Sequence, residues 1–263
     1  MASIADLSRD ARPGDTLRQG AFLAVIVTFV GSNWLPRVID GGRTIGEQSD
    51  ANPGLLVPWG PAFSIWFVIF LGIAAFGVMQ ALPRNRARRA FRASGWWIVG
   101  ALGLSSLWSV LASFAPLGIT PYVTAPVLTA YTVVAVQAMI ALDRLSHTLS
   151  PWELRLALWP SALLAGWTSI AAFLNWEQVL RAQSGSSATG SIVLLGGALA
   201  WVALNLWRTG GLWSYAAAPL WGLVFLVYGR TVAGPISYPV AGAAVLGIGV
   251  IFFLTIALRQ RRA

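Results

Sequence analysis

Apolar residues recur along this chain in blocks whose length leaves one economical architecture. Each block holds about 20 residues, the number that a helix rising about 1.5 Å per residue needs to cross a hydrocarbon core about 30 Å thick. Eight spans are expected, near residues 18–36, 58–82, 95–115, 121–142, 155–176, 190–207, 212–229 and 235–258. Pro and Gly punctuate most of the boundaries. Strands are disfavoured, because a membrane barrel alternates lipid-facing and lumen-facing residues and no period of two runs through the blocks. Helices satisfy their own backbone groups, so the pattern reads as an all-α integral membrane protein of about eight transmembrane helices. Composition agrees: 57% of the 263 residues are hydrophobic and 10% charged, against roughly a quarter charged in a soluble domain.

The formal charge of +9 comes from Arg alone, scattered between apolar blocks with no soluble domain to carry it. That distribution speaks for topology and against nucleic acid as a partner. With the amino terminus in the cytoplasm, Arg9, Arg12, Arg18, the five arginines of Arg84–Arg92, Arg144, Arg155, Arg208, Arg259, Arg261 and Arg262 fall inside. Only Arg37, Arg43, Arg181 and Arg230 fall outside. The positive-inside bias therefore puts both termini of a multi-pass membrane protein in the cytoplasm. The run Arg84–Arg92 also suits anionic lipid headgroups, although topology alone accounts for it. The first block, preceded by Arg and ending near Gly31–Asn33, admits a signal-peptide reading, but its hydrophobic stretch is long for one.

All nine acidic residues, among them Asp15, Asp143, Glu153 and Glu177, fall outside the expected spans or at their edges. Ion-coupled pumps usually relay ions through carboxylates at mid-membrane, so a proton-driven transporter is disfavoured. The chain has no Cys and one His, His147, which excludes thiolate metal sites and a haem held by two His of one subunit. No phosphate-binding loop, zinc-protease motif or dinucleotide fingerprint occurs, and nothing near His147 completes a triad.

Tryptophan is in excess, with 14 residues. Trp96, Trp97, Trp152 and Trp213 lie at expected span ends and fit an interfacial aromatic belt. Trp66, Trp108, Trp167, Trp201 and Trp221 lie deeper, where an indole needs a hydrogen-bond partner or a flat ligand to stack on; helix packing explains each singly as well. Ser64, Ser105, Ser106, Ser109, Thr129, Tyr131, Gln137, Thr168, Ser169, Asn175 and Asn205 supply polar groups within the spans, mostly as interhelical glue worth about 0.6 kcal/mol each. Gly72, Gly100, Gly103, Gly166, Gly196, Gly197, Gly242 and Gly247 are candidates for close helix approach.

Two segments carry a family resemblance. The first runs from Asn33 through Leu35 and Pro36, then along GGRTIGEQSDANPGLLVPWGPAFSIWFVIF, where Pro58, Gly60, Phe63, Ser64, Ile65 and Trp66 open the second span. The second lies in the fifth span, at Pro160, Gly166, Trp167, Ala171 and Asn175. Trp167 and Asn175 are about two helical turns apart, on roughly one face. Both segments resemble the tryptophan-rich sensory (TspO-like) family, which includes the translocator or peripheral-type benzodiazepine receptor proteins, in its longer bacterial branch. The third span departs from the family pattern: Ser105 stands where relatives carry Asn, ahead of Trp108 and Ser109. Phe70 stands where Tyr is usual. Both changes remove a polar group.

The resemblance implies a five-helix membrane core over residues 1–178 and a three-helix extension over 179–263. It implies a pocket lined by Phe63, Trp66, Ser105, Trp108, Trp167 and Asn175, with the Pro36–Pro58 loop as its lid. Such a pocket takes a small, planar hydrophobic ligand, a porphyrin or a sterol, for sensing or transport. Arg43 or Arg37 would meet any carboxylates, although ordinary loop solvation explains these cations too. No cofactor is required, and a bound porphyrin or haem is the group the resemblance would allow. Three readings stay open: a receptor or transporter, a light-dependent porphyrin-degrading activity, and a structural or assembly subunit of a pigment or respiratory complex. Besides the lipid bilayer, a second copy in a homodimer is an open alternative as partner.

Overall fold

The computed structural model describes residues 12–44, 46–48 and 53–261; Arg9, Arg262, Asp6, Asp10 and Asp50 lie outside them. The described residues are helical with no strand, and eight helices are long and apolar enough to cross a membrane. They are α1 (Pro13–Val38), α2 (Ile65–Ala81, entered through a 3-10 turn at Gly60–Ser64), α3 (Arg89–Phe114) and α4 (Thr120–Asp143). Then come α5 (Trp159–Ser184, approached through Pro151–Glu153 and a π-helical turn at Leu154–Leu158), α6 (Ala188–Arg208), α7 (Trp213–Tyr228, continued by a π-helical turn at Gly229–Ala233) and α8 (Tyr238–Gln260).

Helix α5 is the hub. It packs against α2, α4, α6 and α7, while α1 lies on α3, α3 on α4, and α8 on α6 and α7. Of the last three helices, α6 and α7 thus pack on the fifth, and α8 packs on those two. Close contact is possible where side chains are absent: an added Cβ at Gly166 would stand 2.3 Å from the Tyr215 main-chain oxygen, so α5 and α7 meet nearly backbone to backbone. Gly72, Gly197 and Gly247 lie close to the side chains of Pro160, Phe173 and Leu199, but Gly196 and Gly242 face open space. Outward faces carry large apolar side chains such as Val27, Phe67, Leu71 and Phe253, each more than half exposed. A contiguous apolar surface of this kind is one that lipid covers.

Three span ends differ from the sequence-based expectation. Helix α1 runs through Pro36 to Val38, because a proline in the last turns costs only one backbone donor; the loop starts at Ile39, not Pro36. Helix α3 starts at Arg89, inside the arginine run, since Arg is a good helix former. Helix α5 continues past 176 to Ser184 and stops at Gly185, whose φ of +78° suits glycine at a helix terminus.

Acidic residues at the helix ends are out of water. Asp15 lies within α1 at 2% exposure, Glu177 within α5 at 0%, and Asp143 and Glu153 are buried too. The expectation that acidic residues fall outside the spans or at their edges holds for Asp15 and Asp143, at the ends of α1 and α4, and is corrected for Glu177, because hydropathy ends a span at its first charge whereas a helix ends where its caps and packing end. At the arginine-rich end Asp15 accepts from Arg18 at 2.9 Å and Arg92 at 2.5 Å, joining α1 to α3. Arg88 reaches Glu153 at 3.4 Å and lies 5.0 Å over the Trp152 ring.

Candidate functional site

Five aromatic rings assemble at the opposite end. Phe63 and Trp66 project from the turn that Pro61 starts and from the first turn of α2, and both meet Trp167 of α5 edge to face, with centroids 5.9 and 6.2 Å apart. Trp66 also stacks at 5.1 Å on Phe70, which sits edge-on to Phe29 of α1 at 4.9 Å. These T-shaped arrangements place positive ring edges on negative faces. Trp167 is 2% exposed, while Phe63, Trp66 and Phe70 are partly buried. Phe70 therefore serves as a ring within the cluster, with no need of a hydroxyl.

Other expected residues form separate pairs. The indole N–H of Trp108 donates to Asn175 Oδ1 at 3.1 Å, tying α3 to α5, and Asn175 in turn donates to Ala171 O. Ser105 is buried and faces the Tyr131 hydroxyl of α4. Trp201 donates to Ser169 Oγ at 3.1 Å, which also pairs with the Tyr215 hydroxyl at 3.0 Å. Trp221 donates to Ala62 O at 2.8 Å, fixing α7 against the turn below α2. For Trp108, Trp201 and Trp221 a protein partner thus satisfies the indole. Among the described residues, Trp66 and Trp167 meet the site through ring contacts.

The described parts of the loop between α1 and α2 are fastened at both ends. Arg43 N donates to Ser113 O, its Nη2 donates to Ala115 O at 2.5 Å and its Nε to Gln48, so this cation holds the loop onto the end of α3. Thr44 donates from both its N–H and its hydroxyl to Glu47, holding that carboxyl below its ordinary range. At the other end, Leu56 N donates to both oxygens of Glu177, at 3.1 and 2.9 Å, and Ser191 Oγ of α6 donates to Glu177 at 2.5 Å. Arg230, in the π-helical turn after α7, donates to Gly54 O and Val57 O at 3.4 Å. Trp59 N donates to Phe225 O, and the Trp59 ring stacks on Phe225 and Tyr228.

The sequence reading missed Glu177 and Arg230 as site residues, because a charge next to an apolar block reads as water-facing. What could have singled them out is Glu177 two residues after Asn175 on a family-like helix. Beneath the fastened segment, Leu56 and Pro58 roof an apolar cavity of about 20 Å³ floored by α5 and α7, with Ile170, Phe173, Gly222 and Leu226 in its wall. A more open cleft of about 290 Å³ lies at the arginine-rich end, between Arg88, Arg89, Thr148 and Glu153. Among the described residues no group of three His, Cys, Asp or Glu could hold a metal ion.

The TSPO-like protein family model matches residues 16–257, all eight helices in one stretch. No curated protein and no solved structure matches the chain. Matching over nearly the whole length, and with Trp66 of the second helix meeting Trp167 of the fifth, the chain belongs to the TSPO-like protein family.

Proposed function

We propose that this membrane protein binds a planar apolar ligand of the tetrapyrrole or sterol kind, for sensing or transport, at the Phe63–Trp66–Trp167 cluster. The observation that carries the reading is the meeting of Trp66 and Trp167 edge to face between α2 and α5, directly after a loop that is held in place by polar contacts. Indole faces are suited to a flat macrocycle, and the rings here occupy one another's faces. A ligand of that size needs a pocket of roughly 300 Å³ or more, so binding requires the rings to part and the loop to lift. The Trp108–Asn175 pair then forms a polar wall on the α3 side. In this reading the arginine-rich end faces the cytoplasm of a bacterial cell, with both termini there, in keeping with the positive-inside rule.

Titrating purified protein with protoporphyrin while following tryptophan emission tests the reading. Saturable quenching at micromolar ligand is expected, weakened several-fold in Trp167→Phe, which removes the larger ring from the contact with Phe63 and Trp66. Emission that stays unquenched at micromolar porphyrin refutes it.

A further inference from the structure

Arg230 is a buried charge that is poorly satisfied. It is 4% exposed, its Nε has no hydrogen-bond partner, and its two amino groups reach main-chain carbonyls only at 3.4 Å, the long limit of a hydrogen bond. Among the described residues it makes no ion pair. Glu177 attracts it from beyond that distance, with its own oxygens taken by Leu56 N–H and Ser191. A guanidinium buried in a membrane helix without a close counter-ion is costly and is ordinarily kept for a partner. Its backbone is a π-helical turn, a distortion that recurs at functional sites.

The position of this cation relative to the aromatic cluster supplies the second observation. Gly222, Leu226 and Arg230 follow one another at four-residue intervals along α7 and its continuation. Gly222 packs against Ile170 and the Trp167 ring, and Leu226 lines the small apolar cavity. The roof of that cavity, Leu56 and Pro58, belongs to the same segment whose carbonyls Arg230 holds. An apolar path thus leads from Trp167 to Arg230 beneath a strap that the arginine holds only weakly.

We propose that Arg230 is the anion-recognising residue of the ligand site, and that the ligand is an apolar molecule bearing a carboxylate. Resting on the function proposed above, this assigns to the carboxy-terminal helices the polar half of the site. The apolar body lies at the Phe63–Trp66–Trp167 cluster, and its carboxylate end extends along α7 beneath Leu56 and Pro58. The carboxylate takes the place of the Gly54 and Val57 carbonyls and gains the unused Nε–H, exchanging two long neutral contacts for charge-assisted ones in a planar fork. Arg43 is excluded from this role by its engagement with Ala115 O and Gln48.

The test compares protoporphyrin with its dimethyl ester, which has the same macrocycle without ionised carboxylates, by tryptophan quenching in the full chain. Wild type is expected to prefer the free acid by roughly tenfold, about the worth of one charge-assisted hydrogen bond. Arg230→Gln is expected to abolish that preference, read as the ratio of acid to ester affinity whatever the change in absolute affinity from the freed strap, and Arg43→Gln keeps the ratio. Phenylglyoxal footprinting of the wild-type protein needs no folded variant: the acid, and not the ester, is expected to protect Arg230 from modification. Equal wild-type affinity for acid and ester overturns the assignment, as does Arg230 reacting equally with either ligand bound. Failure of both porphyrins to quench overturns the ligand reading itself.

Discussion

Replacing Glu177 probes how the carboxy-terminal helices hold the first loop. The carboxylate is fully buried and accepts Leu56 N–H through both oxygens and the Ser191 hydroxyl at 2.5 Å. In Glu177→Ala the Leu56 N–H loses its acceptor in a place water does not reach, which costs about 1–3 kcal/mol. Ser191 falls back on Ser187 O at 3.0 Å and adds little. Arg230 also loses the negative charge near it. Breaking a buried ion pair in contact costs about 3–5 kcal/mol, and the wider separation here brings a smaller share. The expected total is about 2–4 kcal/mol, whereas Glu177→Gln, which also removes the charge near Arg230, keeps an acceptor for Leu56 and is expected to cost about 1–2 kcal/mol. Reversible unfolding in mixed micelles, followed by tryptophan emission, gives both numbers. Limited proteolysis should show the 42–58 loop cut faster in the alanine variant. Glu177→Ala within about 0.5 kcal/mol of wild type, the range of an ordinary surface substitution, refutes the reasoning. So does a glutamine variant as damaged as the alanine one.

Two further outcomes follow from the packing of α5. Gly166→Val places a branched side chain where even a Cβ stands 2.3 Å from the Tyr215 carbonyl, so the same unfolding assay should show a loss of about 1–3 kcal/mol, and unchanged stability would mean that α5 and α7 are not in backbone contact. Asn175→Leu leaves the Trp108 indole without its acceptor at 3.1 Å; the resonance Raman band that reports indole hydrogen bonding should shift for one tryptophan, and no shift, or the same shift in Trp108→Phe, refutes the pairing.

Much of the helix framework was legible because lipid imposes a rule on every residue of a span. Apolar length and self-satisfied backbone hydrogen bonds fix the number and order of crossings without reference to what packs on what. The ring cluster was legible through the family resemblance, which names Phe63, Trp66 and Trp167 together, and the fold brings them into ring contact. Trp108 and Asn175, named with them, pair with each other across α3 and α5, a contact that only the packing of the two helices shows.

The buried charges were not legible. Hydropathy treats a charge as a boundary marker, so Glu177 and Arg230 read as loop residues, 53 positions apart, with no periodicity to connect them. Only tertiary packing decides that α5 continues past its apolar stretch, that α7 ends in a π-helical turn, and that the Leu56 segment lies between the two. The sequence by itself determined that this chain lives in a bilayer as eight helices, with rings gathered on α2 and α5. The tertiary structure decided which charges are buried and what they hold, since burial depends on neighbours distant in the chain, whereas membrane crossing depends on residues adjacent in it.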